Sequence, residues 1–213
     1  PRDDKRDDKN MEVRIDEIVH SKEDTEALGI NVGDFIYFNT RTEVTKSGFI
    51  KSRHLDDKVS VAIILGVCKY LKENKIKPKY TINFLISNYE EVGHGAAYLP
   101  EKAFEILAID MASPGEGQTS TEEAVTICAK DSSGPYDYDM RKRLVEMAKE
   151  DYIDYKIDIY NHYNSDASAA VRAGNMVRHG LIGPGVDASH GYERTHKTGI
   201  LNTLKLLQRY IEE

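Results

Sequence analysis

The chain has 213 residues, enough for one domain of ordinary size, or for one domain plus a fragment of another. Its 40% hydrophobic and 31% charged content describes a globular protein, and its net charge of −7 provides no basic face for nucleic acid. The longest apolar run, VSVAIILGV (residues 59–67), is too short to span a bilayer, so no membrane partner is expected. Cys68 and Cys128 both lie in apolar segments and read as buried free thiols of a reducing, cytoplasmic compartment.

The chain opens with PRDDKRDDKN, a run without an apolar side chain that reads as a solvated loop; starting at Pro1, it suggests a piece of a longer protein. MEVRIDEIV (11–19) alternates like a strand, and SKEDTEALG (21–29) reads as a short helix with Ser21 and Asp24 as a capping box. VGDFIYFN (32–39) and GFIKSR (48–53) read as two further strands. Residues 1–53 thus form part of a small β-rich module.

From residue 54 onward the pattern changes. VSVAIILGVCKYLKENK is a long helix, and TINFLIS (81–87) is an apolar strand ending at a glycine-punctuated turn, EEVGHG. Strands FEILAIDMA and AVTICAK follow, then helix DYDMRKRLVEMAKED, strand YKIDIY, a helix from SDASAAVRAG, strand and loop HGLIGPGVDAS, and the closing helix ILNTLKLLQRYIEE. Helices alternating with apolar strands imply an α/β domain over 54–213, a mostly parallel sheet sandwiched by helices.

In such sheets ligands gather at the carboxyl ends of the strands. Asp56 and Asp57 follow IKSR, Glu90 and Glu91 follow TINFLIS, Asp110 ends ILAI, and His190 follows LIGPGVDAS. Taken singly, each has a bland explanation: Asp56-Asp57 as a helix cap, the Glu pair as a solvated turn, His190 as a loop histidine. Together they describe a divalent-metal site of the zinc, cobalt or manganese type.

The segments HLDDKVSVAI, YEEVGHGAA, AIDMA, SDASAA and DASHGYERTH, in this order, resemble the M42 family of dinuclear metallo-aminopeptidases. The resemblance implies a cytosolic, homo-oligomeric enzyme that trims peptides, a tetrahedral dodecamer in full-length form, with two divalent metal ions. Carried over, Asp56 bridges the metals, Glu91 and His190 ligate one, Asp110 ligates the other, and Glu90 is the general base. His196 is the alternative to His190, and Asp166 matches a position near the site that could equally be a helix cap. The family's His-x-Asp pair on an early strand has no counterpart here, so the second site is expected to be weak and two-metal hydrolysis by this chain impaired; His54, on the same strand face as Asp56, is a candidate substitute. A related amidase or deacylase, and an inactive oligomer-forming fragment, are the competing readings.

Overall fold

A computed structural model describes residues 3–7 and 9–213; of the charged start, residues 1, 2 and 8 lie outside the described residues. The chain divides into two compact units, 1–38 and 39–213. In the first, α1 (Lys22–Ala27) starts at Ser21, whose side chain accepts from the Asp24 N–H, while the Asp24 carboxylate accepts from the His20 N–H. Ser21 is the expected cap, but the Asp24 carboxylate reaches the N–H one residue before it, so the box expected between Ser21 and Asp24 is not the reciprocal one. The strands expected at 11–19 and 32–39 do not form among the described residues. A strand is stable only with a ladder partner and a buried face, and Val32, Phe35 and Tyr37 are exposed here.

The second unit begins with β1 (Glu43–Val44) and β2 (Phe49–Ser52), which join β8 (Glu193–His196) in a small antiparallel sheet of order β1-β2-β8. The larger sheet contains β3 (Glu105–Ile109), β4 (Val125–Asp131), β5 (Gly134–Pro135), β6 (Tyr155–Ile159) and β7 (Arg178–Pro184). β3 runs parallel to β7 and β4 parallel to β6, while β4 is antiparallel to β7 and β5.

Alternation along these strands sorts side chains to two faces. Ile127 and Ile182 point into a core with α2 (Leu55–Glu73), α3 (Tyr138–Glu150) and α5 (Lys197–Glu212), supplied by Val67, Leu144 and Leu206. Their neighbours Cys128 and Leu181 join Ala167 of α4 (Asp166–Arg172) in a different cluster. The sheet is therefore covered by helices on both faces. Cys128 is a buried free thiol as expected, but Cys68 is only half-buried, because α2 turns it away from the core positions Ile63 and Val67.

TINFLIS departs from expectation: residues 81–87 form no ladder. The apolar pattern is there, but a cavity of about 960 Å³ lined by Ile82, Phe84 and Ile86 on one side and Leu107 and Ile109 of β3 on the other separates the two segments. β3 is consequently an edge of the sheet.

Candidate metal centre

The chain enters the site through His54, which adopts a left-handed conformation (φ +63°) and starts α2 without a side-chain cap. Asp56 and Asp57 have non-helical backbone angles and are joined by a cis peptide bond. Neither carboxylate caps the helix, so both are available to the site.

Asp110 directly follows β3, where its N–H donates to the Ile182 carbonyl at 3.1 Å. A side chain at Gly183 would overlap the Asp110 carbonyl oxygen, so only glycine lets β7 pass this close. Glu90 and Glu91 lie in a single 3-10 turn, Glu90–Val92, closed by the Gly93 N–H on the Glu90 carbonyl at 2.7 Å. His190, also left-handed (φ +64°), projects from the loop between β7 and β8.

The structure brings Asp56, Glu91 and His190 together. His190 Nε2 lies 3.1 Å from Glu91 Oε2 and 3.4 Å from Asp56 Oδ2, and Ser189 Oγ donates to the same Asp56 oxygen at 2.6 Å. Ligand atoms of these three residues lie within 4.8 Å of one another, as do those of Asp56, Asp57 and Asp110. Asp56 belongs to both sets. His196 stands elsewhere: its Nε2 is 3.0 Å from the Ser47 carbonyl and its ring packs edge-on to Phe49. His54 borders the same cavity as Asp56 but belongs to neither set.

Two participants received no role from the family resemblance. Asp57 completes the inner set, with Oδ1 buried and without a hydrogen-bond partner. Its position beside Asp56 was visible, but capping explained it locally. Glu193, 1% exposed, accepts from the Leu55 and Asp56 N–H groups through one oxygen and from the His190 N–H, at 3.1 Å, through the other. It thereby fixes the backbones of two candidate ligands, and no local pattern marks it.

The electrostatics are dominated by unrelieved negative charge. Burial raises the Glu90 carboxyl from 4.5 to about 7, helped by Glu91, Asp166 and Asp56. Burial, then Asp110, pushes Asp57 well above the usual carboxylate range; burial, then Asp56, does the same to Asp110. Glu91 and Glu193 are also raised, first by burial. Such a set is poorly compensated by protein alone and suits a bound divalent cation. The outer set, with one imidazole, fits zinc, cobalt or manganese; the inner, all-oxygen set fits harder ions.

Residues 1–206 match the model of the M42 glutamyl aminopeptidase family. The chain belongs to that family. The Bacillus subtilis (strain 168) protein named "Putative aminopeptidase YhfE" is 54% identical over 208 residues, 97% of this chain but 60% of that protein, so this M42 chain spans well under two thirds of that relative. Among solved structures, the Desulfurococcus kamchatkensis aminopeptidase APDkam598 shares 23% identity at a TM-score of 0.78, over 90% of this chain and 56% of that one. The Pyrococcus horikoshii TET1 peptidase, which can assemble into a tetrahedron or a large octahedral shell, shares 22% at 0.77, over 91% and 58%. These two establish likeness of fold. No helix among the described residues is long and apolar enough to cross a membrane.

Proposed function

We propose that this M42 chain belongs to a metal-dependent aminopeptidase that removes N-terminal residues from peptides, with Glu90 as general base. The observation that carries the reading is the adjacency of Glu90, held near neutral pH, to the Asp56–Glu91–His190 set. Asp56 would be shared between two cations, Glu91 and His190 would complete the outer site, and Asp110 with Asp57 the inner one. A divalent cation bound there supplies Lewis acidity toward the scissile carbonyl and makes water easier to deprotonate.

Glu90 does the proton work. Burial keeps its carboxylate basic enough to take a proton from the attacking water as the carbon–oxygen bond forms. The same carboxyl returns that proton to the leaving amine as the carbon–nitrogen bond breaks. The surrounding carboxylates favour a substrate carrying a free α-ammonium group, which directs cleavage to the N-terminal residue. Zinc and cobalt suit the outer site; the inner one binds zinc more weakly because it lacks imidazole. A cytoplasmic homo-oligomer, dodecameric in the full-length protein, completes the proposal; the assemblies of the structural neighbours support its oligomeric part.

The test is release of the first residue from an unblocked peptide after dialysis against chelator and reloading with zinc or cobalt. The expected outcome is metal-dependent release that Glu90→Gln abolishes while metal content is retained. Hydrolysis restricted to N-acylated substrates would replace this reading with a deacylase. Absence of both metal and hydrolysis would leave an assembly module.

A further inference from the structure

Glu90 and Glu91 sit on the loop between residues 87 and 96, whose one regular element is the turn Glu90–Val92. Inside the loop the chain is closed on itself: the His94 N–H donates to the Tyr89 carbonyl at 3.1 Å, and the two rings stack at 5.0 Å. These contacts shape the loop but do not attach it to the domain. Apart from the Glu91–His190 contact at the site itself, the hydrogen bonds that tie the loop's two ends to the domain converge on a single carboxylate. Ser87 Oγ donates to Asp166 Oδ2 at 2.6 Å, and the Ala96 N–H donates to Asp166 Oδ1 at 3.0 Å.

Asp166 is free for this task because it is not the cap of its helix. Ser165 caps α4 in a reciprocal box with Ser168, and Asp166 is the first helical residue. The helix itself is anchored by buried Ala167, Ser168, Ala169 and Ala170. The second glycine of the EEVGHG turn also becomes intelligible. A Cβ at Gly95 would lie 2.5 Å from both Asp166 Oδ1 and Ser87 Oγ, so any side chain there would pry the clasp apart.

We infer that Asp166 is a positioning residue: its two carboxylate oxygens clasp both ends of the 87–96 loop and so place Glu90 and Glu91 against Asp56 and His190. The consequence for chemistry rests on the proposed roles of Glu90 and Glu91, whereas the clasp itself does not. Three variants separate geometry from charge. Asp166→Ala removes both acceptors. Asp166→Asn can keep both contacts, its oxygen accepting from Ala96 and its amide donating to Ser87 Oγ. Gly95→Ala leaves the charge in place and breaks the geometry.

Hydrogen exchange is measured on the metal-free chain over peptides covering 88–96 and, separately, α4. With Asp166→Ala and Gly95→Ala, exchange over 88–96 rises at least about tenfold while α4 is unchanged; Asp166→Asn stays within about twofold of wild type. In the cobalt-loaded chain, the visible absorption per bound ion changes with Asp166→Ala and Gly95→Ala but not with Asp166→Asn. Where hydrolysis is observed, kcat falls about 10–100-fold with KM little changed. Faster exchange spreading through α4, or loss in Asp166→Asn with Gly95→Ala unaffected, overturns the clasp. Altered loop exchange with an unchanged cobalt spectrum, in a chain whose Glu91→Ala variant also leaves the spectrum unchanged, instead refutes Glu91 as a ligand and leaves the clasp standing.

Discussion

The two sets that share Asp56 differ in almost every physical respect. The outer set is open to solvent, with the His190 side chain 71% exposed, and mixes imidazole with carboxylate. The inner set is made of carboxylates alone, ends in Asp110 at 6% exposure, and contains an unpartnered buried oxygen on Asp57. On the proposed reading, one residue serving both would place two ions of different preference side by side. The difference teaches that burial sets how strongly a carboxyl of the site resists ionisation, more in Asp57 and Asp110 than in Glu91.

The largest effect should follow from removing the shared residue. Asp56→Ala is expected to weaken zinc and manganese binding alike, by more than the roughly 100-fold that loss of an outer partner costs. Equilibrium dialysis with elemental analysis measures both; survival of either ion would show that the sets are independent. A crossed pair sharpens the contrast. His190→Ala should cost zinc about 100-fold and manganese little, and Asp110→Ala the reverse, since imidazole suits zinc and oxygen ligands suit manganese.

Glu193→Gln tests the support beneath both. The amide cannot accept all three of the N–H groups now held by Glu193, so metal affinity should fall about 10–100-fold. Calorimetric titration reads the affinity, and an unchanged value would confine Glu193 to a packing role.

In the metal-free chain Asp57→Asn should raise Tm by about 2–4 °C, because it removes an ionisable group whose burial opposes its charge. The smallest effect concerns pH. The folded chain holds the Glu90 proton to about 7 and the unfolded chain releases it near 4.5. Between these values the folded state binds more protons, so metal-free stability falls as pH rises through this window. Glu90→Gln should flatten that part of the Tm-against-pH curve, and an unaltered slope would assign it to the other raised carboxyls.

Much of the α/β unit was legible because its signals are local. The apolar runs at 105–109, 125–131 and 178–184 pair as strands, and the periodic segments 138–150 and 197–212 are helices. TINFLIS carries the same signal as ILAI yet forms no ladder, since hydrogen bonding needs a neighbour that a sequence pattern does not supply. The strands expected at 11–19 and 32–39 fail for the same reason.

By itself the sequence determined that Asp56, Glu90, Glu91, Asp110 and His190 stand at the ends of apolar segments, because hydrophobic period and turn residues are written along the chain. Only the tertiary structure decided that His190, and not His196, lies beside Glu91, that Asp57 turns inward, and that Glu193 reaches back to Leu55 and Asp56. Those outcomes depend on backbone conformation at single residues and on hydrogen bonds between distant segments. Both are settled when the chain closes around its core.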